Sequence, residues 1–314
     1  MSDYAYDPEL ADIVPLLPTV IDWSDIGQAR ANMEQMILDA APGDPPADQI
    51  TFEDATIPGP AGAPEVFVRI YRPMAATTPS PALLYIHGGG FCFGSVETEH
   101  LGAASTAIGT NAVTVSVEYR LAPEHPYPAG VEDCYAALVW MANESASLGI
   151  DRTRLAITGS SAGGGLSAAV ALMTRDRGGP NLCFQALGIP ELDDRLDTPS
   201  MRAFTDTPLW NRPNAEMSWR CYLGENPGEV SAYAAPSRAQ DLTGLPPAYI
   251  STMQYDPLRD EGIIYGLRLL EQGVSVELHQ YPGTFHGSSL VTSAGVSKRS
   301  AAEMSLAIRR ALHE

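Results

Sequence analysis

Ser161 stands in the run Gly159-Ser160-Ser161-Ala162-Gly163, which follows an apolar stretch at 155–158 and opens into an Ala/Leu/Gly-rich segment. This is G-x-S-x-G in strand–turn–helix order. A serine at the tip of such a turn is exposed as a nucleophile. Its neighbours two residues away must be small enough for the backbones to pass, and glycine on both sides meets that demand. The first turn of the helix also directs N–H groups toward negative charge. A second candidate, His87-Gly88-Gly89-Gly90, closes the apolar run 82–86. Consecutive glycines there let N–H groups turn outward, as an acyl-transfer site needs to hold an oxyanion. The expected donors are the N–H groups of Gly88, Gly89 and Ala162. His87 is expected to anchor the loop rather than act as a base.

A base and an acid should follow the nucleophile in the order Ser, Asp or Glu, His. Three histidines lie beyond Ser161. His313 is penultimate, and His279 falls within the last predicted strand. His286 lies five residues past that strand, in Pro282-Gly283-Thr284-Phe285-His286-Gly287, where a side chain can reach a serine at the sheet edge. Among the carboxylates, Asp256 follows the apolar run 247–251 and precedes a helix near Arg259. Asp256-Pro257 also suits a helix opening, and the two roles are compatible. Asp260 and Glu261 are alternatives within the helix. A rival reading takes Gly163-Gly164-Gly165-Leu166-Ser167-Ala168 as G-x-G-x-x-A, a dinucleotide signature. Those glycines come too late after the strand, however, and the acidic Glu191 is too distant to complete the fingerprint.

The elements that must position these groups are legible from periodicity. Residues 65–72 alternate apolar and polar, as a half-buried antiparallel strand does, with another strand starting near Ile50. Short continuous apolar runs follow at 82–86, 112–117, 155–158, 184–189, 247–251 and 274–281, mostly separated by helical segments near 100–108, 131–148, 162–175, 259–272 and 297–312. Alternation of this kind indicates βαβ crossovers and an α/β fold: about eight strands, mostly parallel, covered by helices on both faces. Residues 1–48 carry helical apolar spacing at 13–20 and 26–38, then a Pro/Gly/Asp segment beginning at Ala41. They read as a helical extension, or part of a lid, ahead of a main domain at 49–314. Residues 193–235 interrupt the alternation and suit a wall or lid, with a helix around 214–222.

With 19 basic against 38 acidic side chains, the chain carries a formal charge of −19. Such a surface disfavours nucleic acid and acidic membranes, so a neutral small molecule is the expected partner. The cysteines Cys92, Cys134, Cys183 and Cys221 show no C-x-x-C spacing or zinc pattern, and no metal site is expected. No apolar run approaches the roughly 18 residues of a membrane span. Asp3, Asp7 and Glu9 stand where a secretory leader would be basic, so a cytoplasmic protein is expected.

Together, His87-Gly88-Gly89-Gly90-Phe91, Tyr119-Arg120-Leu121-Ala122-Pro123-Glu124-His125-Pro126, the nucleophile turn, Asp256-Pro257-Leu258-Arg259 and His286-Gly287 resemble the hormone-sensitive-lipase family of bacterial esterases. The resemblance implies the α/β-hydrolase fold with a helical cap built from the N-terminal helices and part of the later insertion. It also implies a serine carboxylesterase acting on short-chain, uncharged esters through Ser161, Asp256 and His286, without metal or cofactor, and a homodimer formed through the last strand. Two positions depart from the family pattern. Ser160 replaces the usual Asp or Thr, and Ser288 replaces an aromatic, which predicts a wider or more polar pocket beside the base. Phe91, Phe93, Leu192, Trp210 and Leu290 are the candidate pocket residues. An amidase or peptidase using the same residues, or a silent ligand-binding protein on this scaffold, are the other functional classes.

Overall fold

The computed structural model describes residues 4–40 and 43–314; Asp3 and Ala41-Pro42 lie outside that range. The chain runs α1 (Pro8–Ala11), α2 (Ile26–Ala40), β1 (Ile50–Ile57), β2 (Val66–Pro73), β3 (Ser80–Ile86), α3 (His100–Thr110), β4 (Val113–Glu118), α4 (Ala129–Asn143), α5 (Ser145–Leu148) and β5 (Ile150–Ser160). It continues through α6 (Ala162–Arg177), β6 (Phe184–Gly188), α7 (Pro199–Ala203), α8 (Arg212–Leu223), β7 (Ala248–Tyr255), α9 (Arg259–Glu271), β8 (Val276–Phe285) and α10 (Gly295–His313). The strands form one sheet in the order β1-β2-β4-β3-β5-β6-β7-β8. β2 pairs antiparallel with both β1 and β4, and the pairs from β4 to β8 are parallel. Only β2 therefore runs against the others.

The apolar runs become the central strands because both of their faces are covered. In β3 every residue is buried. Leu83 packs with Ala156, Ala186 and Tyr249 against Ile308 and Leu312 of α10. Leu84 and Ile86 face the opposite way, toward Leu138 and Met141 of α4 and Leu166 and Val170 of α6. Farther along that layer, Tyr265 and Leu269 of α9 cover Leu187 and Ile250. After β4, the buried Asp133 of α4 accepts from the Arg120 backbone N–H (3.0 Å), Nε (2.8 Å) and Nη2, which pins the loop that follows the strand.

The N-terminal segment departs from the periodicity in one place. The stretch 13–20 holds a single 3-10 turn, Val14–Leu16, instead of a continuous helix. Pro15 and Pro18 supply no N–H, and the turn cannot propagate. The helix expected at 26–38 forms as α2. Its Arg30 donates to the carbonyls of Cys92 and Ala122 (2.7 Å each) and forks onto Glu124. The N-terminal segment is also bonded to the 193–235 insertion: Leu209 N–H donates to Pro18 O (2.7 Å), Asn211 Nδ2 to Thr19 O (2.6 Å) and Trp23 Nε1 to Asn214 Oδ1 (3.3 Å). Among the described residues no helix is long and apolar enough to cross a membrane.

Arg30 is the main polar tie of α2 to the loops beneath it. Arg30→Ala should lower amide hydrogen-exchange protection across α2 while β3 and β5 keep theirs, since local opening follows local contacts. Unchanged protection in α2 would show that apolar packing alone holds the helix.

Candidate active site

Ser161 sits between β5 and α6 at φ 59° and ψ −123°. A non-glycine residue in that region carries about 1–3 kcal/mol of strain, which the surroundings must hold. They do so through the backbone. Ser161 N–H donates to Gly188 O at 2.8 Å, and Ser161 O accepts from Gly165 N–H and Glu191 N–H at 3.0 Å each. The flanking glycines are needed for contact rather than flexibility. A Cβ on Gly163 would lie 2.1 Å from Ile86 O, and one on Gly159 would lie 2.4 Å from Gly163 O. A Cβ on Gly165 would similarly meet Glu191 O at 2.0 Å, so the glycines of the apparent dinucleotide signature are packed against protein backbone. They leave no room for a pyrophosphate.

The serine, histidine and aspartate converge. His286 Nε2 lies 2.9 Å from Ser161 Oγ, and Nδ1 lies 2.8 Å from Asp256 Oδ2. The arrangement suits the tautomer in which Nδ1–H donates to Asp256 and Nε2 accepts from the hydroxyl. Asp256 is fully buried, and its other oxygen, Oδ1, accepts from Leu258 N–H at 2.8 Å. One carboxylate thus bonds both the opening turn of the helix and the histidine. His286 is placed differently from expectation: β8 extends to Phe285, paired with Tyr255 past an irregularity, so His286 follows the strand directly. His279 lies instead against Glu277 and Glu303 on β8 and α10, and His313 bonds Thr110 O.

Opposite the serine, the N–H groups of Gly88 and Gly89 have no acceptor among the described residues. Ala162 opens α6, where an N–H has no intrahelical partner. His87 anchors this loop. Its Nδ1 lies 2.9 Å from Gly88 O and its ring stacks on Tyr119 at 4.1 Å. Burial lowers its pKa to about 4, so it is neutral near pH 7. Beneath the turn lies Glu191, fully buried, its carboxyl pushed well above the usual range first by burial and then by the Asp256 charge.

A cavity of about 150 Å³ opens onto Ser161. Phe93, Trp210 and Leu290 line it together with Met33, Met36, Ile37 and Leu209. Phe91 and Leu192 do not. A positive φ of 59° at Phe91 turns its ring onto Tyr222, stacked at 4.0 Å, while Leu192 is buried among Ala168, Leu172 and Leu269. Ser160 lines the cavity beside Gly188. Ser288 is buried and directs its hydroxyl at the Met253 sulfur, so the exchange expected to widen the pocket faces the core instead. Met33, Met36 and Ile37 were missed as pocket residues, although their i, i+3, i+4 spacing marks one face of α2. Glu99 was missed altogether. A larger polar cleft of about 430 Å³ around Asp193, Arg195, Glu261 and Arg268 holds no histidine. Among the described residues no group of His, Cys, Asp and Glu could hold a metal ion.

A family model described as alpha/beta hydrolase fold matches residues 83–290. The carboxylesterase NlhH of Mycobacterium tuberculosis is 38% identical over 97% of this chain and 94% of its own length. The esterase LipI of the same species is 39% identical over 90% of this chain and 88% of its own. A solved structure titled bacterial heroin esterase superposes with a TM-score of 0.94 at 52% identity, covering 99% of both chains.

The close passage at Gly163 predicts that Gly163→Ala forces the first turn of α6 away from the end of β3. The variant should lose at least about 2 kcal/mol in urea unfolding, as overpacking against rigid backbone does, and react slowly with a phosphonate at Ser161. A wild-type midpoint together with wild-type phosphonylation would show that the contact can relax.

Proposed function

Because the chain belongs to this α/β-hydrolase family of hormone-sensitive-lipase-like bacterial esterases and is a carboxylic ester hydrolase, we propose that it cleaves short-chain esters through an acyl-enzyme on Ser161. The observation that carries this reading is the relay from Asp256 Oδ2 through His286 to Ser161 Oγ, with spacings of 2.8 and 2.9 Å. His286 removes the hydroxyl proton as Ser161 attacks the ester carbonyl. The charge that develops on the carbonyl oxygen is held by the N–H groups of Gly88, Gly89 and Ala162, which need not reorganise. His286, now protonated and oriented by Asp256, returns the proton to the leaving alcohol. Water then repeats the cycle on the acyl-enzyme.

The cavity supports a short acyl chain, because about 150 Å³ lies below the roughly 300–1,000 Å³ of drug-sized sites. Its roof comes from α2 and from Leu209 and Trp210, and the bonds joining these segments support their acting as one cap. We therefore assign residues 1–48 and 193–235 to a cap over the catalytic domain at 49–314. The net charge of −19 argues against nucleic acid as a partner. The buried thiols of Cys92 and Cys134 fit a reducing cytoplasm; the protonated form is favoured at Cys92 first by its hydrogen bond with Cys221 and then by burial, and at Cys134 by burial.

With 4-nitrophenyl esters from acetyl to palmitoyl, kcat/KM should fall sharply beyond about eight carbons. On the butyrate, Ser161→Ala should lower kcat by about 10⁴–10⁶-fold and Asp256→Asn by about 10³–10⁴-fold. Parental rates in Ser161→Ala would sink the mechanism.

A homodimer through β8 is supported by the open edge of that strand and by an adjoining apolar stripe. Ile264, Leu267 and Leu270 of α9 and Leu278 of β8 are all exposed. Light scattering after size exclusion should report a dimer, and the double variant Leu267→Glu/Leu270→Glu a monomer. A monomeric parent protein would rule the interface out.

A further inference from the structure

We propose that Glu99 is a specificity-determining carboxyl of the substrate cavity, selecting esters that carry an ammonium group on an arm remote from the scissile bond. This rests on the ester-hydrolase reading above and departs from the uncharged substrate expected from the sequence.

Among the described residues Glu99 is the one carboxyl that lines the cavity, together with Thr98 and with Met33, Met36 and Ile37 of α2. It stands immediately before α3, where a side chain commonly caps the helix, yet it makes no cap hydrogen bond. Its Oε2 instead accepts from the hydroxyl of the buried Tyr85 at 2.8 Å. That bond holds Oε2 of a side chain that lines the cavity, and among the described residues no hydrogen bond is made to Oε1. Among the described residues no cation pairs with it, and Arg69 is committed to Asp54 at 2.6 Å and Glu97 at 2.9 Å. Burial pushes the Glu99 carboxyl above its ordinary range, while the Tyr85 bond works against that shift. Holding a charge there uncompensated is unfavourable, and a bound ammonium would relieve it.

Nothing in the mechanism uses this group. The proton relay and the oxyanion donors are complete without it, and the apolar walls would accept a hydrocarbon arm unaided. A held carboxyl in a mainly apolar lining imposes chemistry on whatever lies beside it. The overall charge of −19 draws cations toward the molecule, but at physiological salt that field decays over roughly 8 Å. Discrimination between two bound esters of the same shape must come from the local carboxyl.

The test uses two isosteric pairs, one for each arm of the ester: butyrylcholine against 3,3-dimethylbutyl butyrate, and 4-nitrophenyl 4-(trimethylammonio)butyrate against 4-nitrophenyl 5,5-dimethylhexanoate. In at least one pair the wild-type enzyme should favour the cation by about 5–30-fold in kcat/KM, expressed mainly in KM, as a partly desolvated charge pair predicts. In Glu99→Gln that ratio should collapse toward about one, because the amide keeps the Tyr85 bond but loses the charge. Tyr85→Phe, which frees the carboxylate to swing, should give an intermediate ratio. A wild-type ratio of one or less in both pairs overturns the assignment even if Glu99→Gln does not fold. A ratio unchanged in Glu99→Gln overturns it too, by assigning the preference to the overall field. Turnover of the neutral esters without discrimination removes only the Glu99 assignment. Failure of the wild type on all four removes the esterase reading with it.

Discussion

At the mouth of the site the end of β3 passes the end of β5 and the first turn of α6 so closely that no side chain fits between them. Gly163 lies against the carbonyls of Ile86 and His87, and Gly88 against the carbonyl of Ser160. This contact brings the N–H groups of Gly88 and Gly89 to the same side as Ser161, and it holds the serine in a backbone conformation that it would not choose. The strain is carried by Gly188 O and by the N–H groups of Gly165 and Glu191. These belong to β6, α6 and the segment after β6. Ser161 is therefore tied to the centre of the sheet, and its geometry is settled before any ligand arrives.

The remaining reactive groups are attached to the same frame at other strand ends. Asp256 follows β7 and His286 follows β8, adjacent strands whose pairing persists past an irregularity to Tyr255 and Phe285. Asp256 spends one oxygen on the Leu258 N–H, which fixes its orientation, and the other on His286. On the opposite flank, His87 is kept neutral by burial and stacked on Tyr119, whose loop is held by the Arg120–Asp133 pair. Specificity is built from less regular parts. Met33, Met36 and Ile37 of α2 and Leu209 and Trp210 of the 193–235 insertion line the cavity, and the N-terminal segment is bonded to that insertion from far away in sequence. Rigid strand ends for chemistry and adaptable coverings for recognition are the usual division in this kind of fold.

Much of this was legible in the residues themselves. The central strands stand out because burial on both faces demands uninterrupted apolar runs. The nucleophile turn stands out because close backbone passage demands glycine at fixed offsets from the serine. His286 could be singled out because only three histidines follow Ser161 and the other two were committed elsewhere by position. Asp256 was harder, because a helix opening and an orienting carboxylate ask for the same residue; in the structure it bonds both the Leu258 N–H and His286. Periodicity misled at 13–20, where Pro15 and Pro18 outweigh the apolar spacing.

Side-chain direction was decided only by the tertiary structure. Phe91, Phe93, Leu192, Trp210 and Leu290 all qualified as pocket residues by apolar character, but a left-handed backbone turns Phe91 onto Tyr222 and Leu192 is drawn under α9. Ser288 faces Met253 rather than the site. Glu99 carries no local signal, since an acidic residue ahead of a helix is ordinary. Only the folded chain brings Tyr85 beneath it and α2 across from it. Sequence determined which backbone could form and where a nucleophile could stand, because those depend on neighbours along the chain. The lining of the cavity depends on neighbours in space, and folding alone chose them.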